Sequence, residues 1–119
     1  MPEEDTSSTG EQLLKVLSAL SNPHRMRIIA ALAVERNYVS RLARETGMSR
    51  PLLHMHLQRL EAAGLVTGSL ELSDDGKAMK FFDVAPFIYE LTPQTIAAAA
   101  ETLRQGRQEA HSELEGRGQ

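Results

Sequence analysis

The stretch VSRLARETGMSRPLLHMHLQRLEAAGLV, residues 39–66, decides the fold of this chain. Apolar residues at helical spacing predict a short helix at about 39–46, and Gly47 ends it as a left-handed residue would. Ser49 is placed to cap a second helix, at 50–63, by accepting hydrogen bonds from first-turn amides. Two helices joined by a tight glycine turn, the second of them capped, are typical of a helix-turn-helix.

The second helix carries two histidines, His54 and His56, one residue apart. At 100° per residue their side chains point about 160° apart, so they cannot converge on one metal ion. The core face of the helix is predicted to consist of Leu53, Leu57 and Leu60. His56 borders that face and is predicted to be packed, with one ring nitrogen hydrogen-bonded. His54 lies on the outer side.

Two further helices precede this stretch. The Thr9 hydroxyl can bond the amide of Gln12, whose side chain can reach back, which is a capping box. The apolar face of the helix that follows consists of Leu13, Leu14, Val16, Leu17 and Leu20. Asn22 and Pro23 are suited to begin the next helix, which runs to about residue 35. Its inward face is predicted to comprise Met26, Ile29, Ala30 and Leu32 or Ala33.

A hairpin is predicted directly after the helix-turn-helix. Two β-prone runs between residues 65 and 87 flank Ser73–Gly76, where Asp75 followed by Gly76 is a strong turn signal. A hairpin in this position is a wing. The predicted fold is therefore mainly α with a small β-hairpin wing: a winged helix-turn-helix of four helices, two strands and a final helix.

The final helix, 92–115, begins with Thr92 as its cap and carries an apolar stripe at helical spacing. We expect it to form a two-fold dimer with the first helix; the alternative is that it folds back on its own domain. The predicted interface comprises Leu13, Leu14, Leu17, Ile96, Ala99, Ala100, Leu103 and Ala110. The predicted organisation is a disordered tail at 1–8, a DNA-binding domain at 9–91, the dimerisation helix at 92–115 and a tail at 116–119.

The charge distribution favours a nucleic-acid partner more than the net charge of −3 does. Residues 23–60 contain seven Arg against two Glu, a local balance of +5. The chain has no Cys, which excludes disulfides and cysteine nucleophiles. No catalytic arrangement of residues is recognisable, so we expect no enzyme. No apolar run is long enough to span a membrane, and the expected location is the cytoplasm.

Two motifs resemble the ArsR/SmtB-type winged helix-turn-helix repressors. ALSNPHRMRIIAAL at 19–32 is similar to their second helix, and 39–66 is similar to their helix-turn-helix, ending in the common HL..L..AGLV. The hairpin and final helix follow in the family's order. The resemblance, over roughly 11–115, implies a homodimeric bacterial or archaeal transcriptional regulator with its first and last helices at the dimer interface. Many such proteins are repressors released from operators by metals or other signals.

In this reading the outer side of the helix at 50–63 faces the major groove of double-stranded DNA. The predicted contacts from it are Ser49, Arg50, Pro51, His54, Met55 and Gln58. Arg50 can make a bidentate contact to guanine, and Gln58 can contact adenine or phosphate. Further phosphate contacts are predicted for Arg41, Arg44, Lys77 and Lys80. Asp74 and Asp75 at the wing tip depart from a basic wing.

The family's usual metal-sensing motifs are not present. The position of a Cys-Val-Cys motif is occupied by Tyr38, Val39 and Ser40, and the final helix offers only His111 with Glu115 one turn later. We therefore expect no cofactor, and any effector is a metal, a small molecule or a partner protein. The predicted function is a sequence-specific repressor on a pseudo-palindromic operator. The alternative is a winged helix that serves as a protein-interaction subunit of a regulatory complex.

Overall fold

A computed structural model describes residues 9–103 of the chain, which form two compact units. One unit is Val16–Phe87. The other comprises the described residues on either side of it, 9–15 and 88–103. The predicted tails at 1–8 and 116–119, and the predicted remainder of the final helix, lie outside the described residues.

The first two helices begin at the predicted caps. Helix α1 covers Gly10–Leu20, and the Gln12 amide donates to the Thr9 hydroxyl over 3.1 Å. Helix α2 covers Pro23–Val34, and the Asn22 Oδ1 accepts from the amides of His24 and Arg25. The capping prediction is confirmed at both helices.

The helix-turn-helix has nearly the predicted bounds. Helix α3 covers Val39–Thr46 and ends at Gly47, whose φ of 72° is left-handed. Helix α4 covers Arg50–Ala62, one residue shorter than predicted, and Ser49 accepts a hydrogen bond from the Leu52 amide. The glycine turn and the cap thus set where α4 begins and which side it turns outward.

The sheet has one strand more than the sequence predicts. Strands β2, Val66–Leu72, and β3, Ala78–Val84, form the predicted antiparallel hairpin around a turn at Gly76, with a φ of 85°. Strand β1, Asn37–Tyr38, pairs with the other edge of β3, giving the order β1-β3-β2. Because β1 precedes α3 directly, the sheet fixes the entry to the helix-turn-helix.

The core of the unit Val16–Phe87 is aliphatic and contains one aromatic ring. Its buried apolar residues are Val16, Ala19, Ile28, Leu32, Leu42, Ala43, Met48, Leu53, Leu57, Leu60, Leu65, Val66 and Phe82. The predicted core face of α4 is therefore confirmed.

The predicted core face of α2 is confirmed at Leu32, one of its two alternatives, and is wrong at Met26 and Ala30, while Ile29 is half-buried. Ile28 and Leu32 are its buried residues, whereas Met26 is 60% exposed and Ala30 and Ala33 are also exposed. Helix α2 is apolar on most of its circumference, so its periodicity alone does not select one face. Tertiary packing selects the face that carries Ile28 and Leu32, whereas Ile29, which has the same size as Ile28, is half-buried.

In the other unit, the start of α1 packs closely against a fifth helix, α5, described over 93–103. The Gly10 amide donates to the Thr102 hydroxyl over 2.7 Å. A Cβ added at Gly10 would lie 2.5 Å from the carbonyl oxygen of Ala99 and 2.5 Å from Cγ of Leu103. Glycine at position 10 therefore permits an approach of two helices that no other residue allows.

Gly10→Ala is expected to destabilise the protein by about 1–3 kcal/mol, because the added methyl meets backbone that cannot easily move. Helix propensity alone would favour Ala by about 1 kcal/mol, so the two effects have opposite signs. Urea unfolding measures the difference, with Lys15→Ala, an exposed change in the same helix, as the control. A stabilised Gly10→Ala protein would contradict the close approach of α1 and α5.

Candidate nucleic-acid interface

The outward face of α4 collects all the side chains that the sequence predicts to read bases. Arg50, Pro51, His54 and Gln58 are exposed, and Met55 is 40% exposed. The opposite face of the helix, with Leu53, Leu57 and Leu60, is fully buried. One side of α4 is thus anchored in the core, and the other side is free to enter a groove.

The first turn of α4 suits an anion. Pro51 has no N–H and the Leu52 amide donates to the Ser49 hydroxyl, so the Arg50 amide is left to bond an anion, and the helix dipole favours negative charge there. The Arg50 side chain presents a planar fork of donors that matches a guanine edge or a phosphate. Gln58, two turns later, carries both a donor and an acceptor. The chemistry of this face is that of hydrogen bonding to base edges and phosphate.

The two predicted phosphate contacts on α3 have different surroundings. Arg41 is held by two carboxylates: its Nη2 donates to Glu35 over 2.9 Å and its Nε to Glu45 over 3.0 Å. The pKa of Arg41 is raised, first by its hydrogen bond to Glu35 and then by Glu45. A phosphate would have to compete with both acids, so Arg41 is a weaker candidate than the sequence indicated. Arg44 is exposed and has no ion pair within the described residues.

The wing presents both signs of charge. The Lys80 ammonium lies 5.2 Å from the centre of the Phe82 ring, and Lys77 is exposed at the turn. Asp75 accepts hydrogen bonds from the Ser73 hydroxyl and the Lys77 amide, and its pKa is lowered by the Ser73 bond first. Asp75 therefore closes the turn. The predicted departure from a basic wing has a structural reason at this residue.

A salt bridge that the sequence analysis missed joins the wing to the short segment between α2 and β1. Arg36 and Glu71 form a bidentate pair, in which Arg36 Nη2 donates to Glu71 Oε1 over 2.7 Å. The hydrogen bond from Arg36 is the main cause that lowers the pKa of Glu71. The guanidinium also lies 4.6 Å from the centre of the Phe81 ring. Thirty-five positions separate the pair, and no local signal in the sequence connects them.

His56 is packed and hydrogen-bonded, as predicted, and it is 3% exposed. Its Nδ1 lies 3.2 Å from Nη1 of Arg25, a partner that the sequence analysis missed. The ring of His24, in the first turn of α2, lies 5.5 Å from the ring of His56. The pKa of His56 is lowered, first by burial and then by the positive charge of Arg25. This cluster lies on the buried side of α4, away from the outward face that carries His54.

No cluster of three or more metal-ligating side chains occurs in residues 9–103. His111 and Glu115 lie outside the described residues. Within them, no helix is long and apolar enough to cross a membrane.

The predicted dimer residues differ in how much surface they leave for a partner. In the single chain Leu14 is 53% exposed, Leu17 37% and Ile96 51%, and Ala100 is also exposed. Leu13 and Leu103 are half-buried, and Ala99 is 8% exposed and already packed within its own chain. Ala110 lies outside the described residues. The interface stays a prediction, with its apolar exposed part on α1 and α5.

Comparisons with known proteins agree with this architecture. The family model described as "Bacterial regulatory protein, arsR family" matches residues 22–67. An uncharacterized HTH-type transcriptional regulator of Methanocaldococcus jannaschii is 32% identical over 84 residues, covering 71% of this chain and 87% of that protein.

Two solved structures are similar over most of the chain. One is the homodimeric winged helix-turn-helix DNA-binding domain of a possible ArsR-family transcriptional regulator from Mycobacterium bovis. It has a TM-score of 0.57 and 26% identity, covering 87% of this chain and 83% of that one. The other is NolR from Sinorhizobium fredii, with a TM-score of 0.53, 25% identity and coverage of 76% and 80%. The chain described here belongs to the ArsR family of winged helix-turn-helix transcriptional regulators.

Proposed function

We propose that this protein binds a pseudo-palindromic operator as a homodimer and represses transcription, with α4 reading the base sequence in the major groove. The observation that carries the proposal is the outward face of α4. Arg50, His54 and Gln58 project there from a helix whose other side is buried in the core. A rigid helix that presents polar side chains on one face can read base edges, because those edges carry a distinct pattern of donors and acceptors. The function proposed for this protein is therefore that of a transcriptional regulator and not that of an enzyme.

Positive charge around this face supports binding to the DNA backbone. Arg44 on α3 and Lys77 and Lys80 in the wing are exposed, and each can approach a phosphate. Such contacts fix the register of the protein on the duplex, whereas Arg50 and Gln58 select the sequence. Arg41 contributes only if a phosphate displaces one of its two carboxylate partners.

Two-fold symmetry of the protein would be matched by the operator. The Mycobacterium bovis domain is described as homodimeric, and Leu14, Leu17 and Ile96 of the present chain leave apolar surface exposed. A dimer places two α4 helices one turn of DNA apart, which requires two half-sites in inverted orientation. We place the protein in the cytoplasm, where a bacterial or archaeal operator lies.

Arg50→Ala is expected to cost about 1–3 kcal/mol in binding to the preferred site, because one bidentate base contact is lost. The site is first obtained by selecting random-sequence duplexes with the wild-type protein. Fluorescence anisotropy then compares the affinities for the selected site and for a version altered at one base pair.

Arg59→Ala is the matched control, since it removes the same charge from an exposed position of the same helix that lies outside the proposed contacts. It should weaken binding to both duplexes alike. Equal discrimination by Arg50→Ala and wild type would remove Arg50 from the reading face. A selection that enriches no sequence would contradict the proposed function itself.

One observation favours a second function, docking on another protein. Leu70 and Leu72 project from the same face of β2 and are 73% and 76% exposed. Asp74 and Asp75 follow at the tip, so this part of the wing is apolar and acidic instead of basic. A winged helix that works through a protein partner would release few counterions from DNA, which separates the two functions by salt dependence.

A further inference from the structure

Arg25 connects three helices behind the reading face. It lies in the first turn of α2, and its Nε donates to the carbonyl oxygen of Ala19 near the end of α1 over 2.6 Å. Its Nη1 lies 3.2 Å from Nδ1 of His56 on α4. These three residues belong to the compact unit Val16–Phe87. The side chain of Arg25 therefore links the end of α1 and the start of α2 to the middle of α4.

The chemistry of this contact fixes the state of His56. A guanidinium has donors only and stays charged, so Nδ1 of His56 must be the acceptor. The imidazole is then neutral, with its hydrogen on Nε2. Nε2 is buried and has no hydrogen-bond partner within the described residues. A proton on Nδ1 would break the bond to Arg25 and set two positive groups against each other in a buried place.

None of the described charged groups that act on His56 stabilises its protonated ring. The charged groups that act on His56 are Arg25 and His24 of α2 and Arg59 of its own helix, and each disfavours a charged imidazole. Helix α3 and strand β2 also pack against α4, and neither supplies a described charge that shifts His56. No carboxylate of the described residues is among the groups that act on it.

We propose that Arg25 is a positioning residue for DNA reading: through the Ala19 carbonyl and a neutral His56 it holds α4 in the orientation that presents its outward face. The inference rests on the proposed function. The binding of DNA then depends on a contact that lies on the opposite side of α4 from the bases, and that contact exists only while His56 is unprotonated.

The cluster does not have the chemistry of a metal site, although both His24 Nδ1 and His56 Nε2 are buried without partners. A histidine ligand needs a lone pair on the coordinating nitrogen. With Nδ1 accepting from Arg25, Nε2 carries the hydrogen and has no lone pair to give. A cation would also lie beside the guanidinium. The arrangement fits a neutral histidine held in place by an arginine.

The pH dependence of the protein's stability follows from the direction in which the pKa of His56 is shifted. Burial, first, and the charge of Arg25, second, lower the pKa of His56 in the folded protein below its ordinary value. Between these two values the unfolded chain binds a proton and the folded one does not, so acid favours unfolding. The stabilising contribution is complete above the unfolded pKa, near 6.5, and is lost as pH falls towards the folded pKa.

The test compares Arg25→Met with Arg27→Met, which removes the same charge from an exposed position of the same helix. Nuclear magnetic resonance of the imidazole nitrogens reports the tautomer and the titration of His56 without DNA. Anisotropy on the selected duplex reports the affinity. Its pH profile is measured in a His54→Gln background on a duplex selected with that variant, because His54 lies on the proposed reading face.

In the wild type we expect the Nε2–H tautomer of His56 and an affinity that falls as His56 takes up a proton. Arg25→Met should bind at least roughly tenfold more weakly at neutral pH, because a hydrogen bond from a charged donor is lost. Its His56 should titrate at a higher pH, since the lowering charge is gone. Arg27→Met should match the wild type in tautomer and titration, with an affinity within about twofold, a far smaller change than one lost base or charged contact makes.

An Nδ1–H tautomer in the wild type, an unchanged His56 titration in Arg25→Met, or wild-type affinity in a folded Arg25→Met would each overturn the inference. If Arg25→Met does not fold, Arg25→Lys keeps the charge but replaces the planar fork of donors by one ammonium nitrogen, and wild-type affinity there overturns the inference equally. A wild-type protein that selects no DNA contradicts the proposed function. The tautomer and titration of His56 then still show whether Arg25 and His56 form the hydrogen bond.

Discussion

Leu57→Ala is expected to lower the free energy of unfolding by about 2–5 kcal/mol. Leu57 lies in the middle of α4 and is 1% exposed, between Leu53 and Leu60, which are fully buried. Truncation removes apolar contact and leaves a cavity that the surrounding helices fill only in part. Since a domain of this size is stable by about 5–15 kcal/mol, the loss is a large part of the total. Urea unfolding followed by circular dichroism measures it.

Leu52→Ala is the matched control for this prediction. It is the same change in the same helix, but Leu52 is 37% exposed, so its loss should stay within about 0.5–1 kcal/mol. Equal losses at the two positions would show that α4 does not present its Leu53–Leu57–Leu60 side to the core. The outward face of α4, and with it the proposed reading surface, would then be wrong.

Ile96→Glu is expected to dissociate the dimer and to weaken operator binding by about 10²–10⁴-fold. The size of this loss of affinity follows from the two-fold symmetry of the dimer. Two linked α4 helices bind two half-sites, and the second helix binds at a high effective concentration. Ile96 is 51% exposed in the single chain, so a charge there disturbs little within one protomer. Leu103 is a less suitable position, because it packs at Gly10 of its own chain.

Ala98→Glu introduces the same charge on the opposite side of α5, where Ala98 is exposed. It should leave the protein dimeric by light scattering and bound to the operator like the wild type. A dimer that survives Ile96→Glu would place the interface elsewhere. Dissociation by both variants would show that added negative charge on α5, and not the apolar stripe, controls assembly.

The sequence predicts the helix-turn-helix well because its signals are local. Gly47 and Ser49 specify the turn and the cap through their own backbone and hydroxyl, and Leu53, Leu57 and Leu60 mark one face by spacing alone. The outward residues of α4 follow from that face. For the same reason the hairpin at Gly76 is predicted correctly.

The features that the sequence does not predict depend on tertiary contacts. Strand β1 has two residues and exists only because β3 lies beside it. After Arg27 the residues of helix α2 are all apolar, so only packing selects Ile28 over Ile29. Charge counts treat Arg41 as an available cation, whereas Glu35 and Glu45 hold it. The bond between Arg25 and His56 joins positions 31 residues apart in the chain.

DNA reading by α4 is tested most directly by the salt dependence of binding to the selected duplex, measured by anisotropy between about 50 and 200 mM salt. Arg44, Lys77 and Lys80 of two protomers give about six phosphate contacts and a slope of about −5 in log affinity against log salt. We predict that slope together with selective binding. Weak binding that is equal for selected and unrelated duplexes and nearly independent of salt would contradict DNA reading by α4 and favour the protein-docking function of the wing.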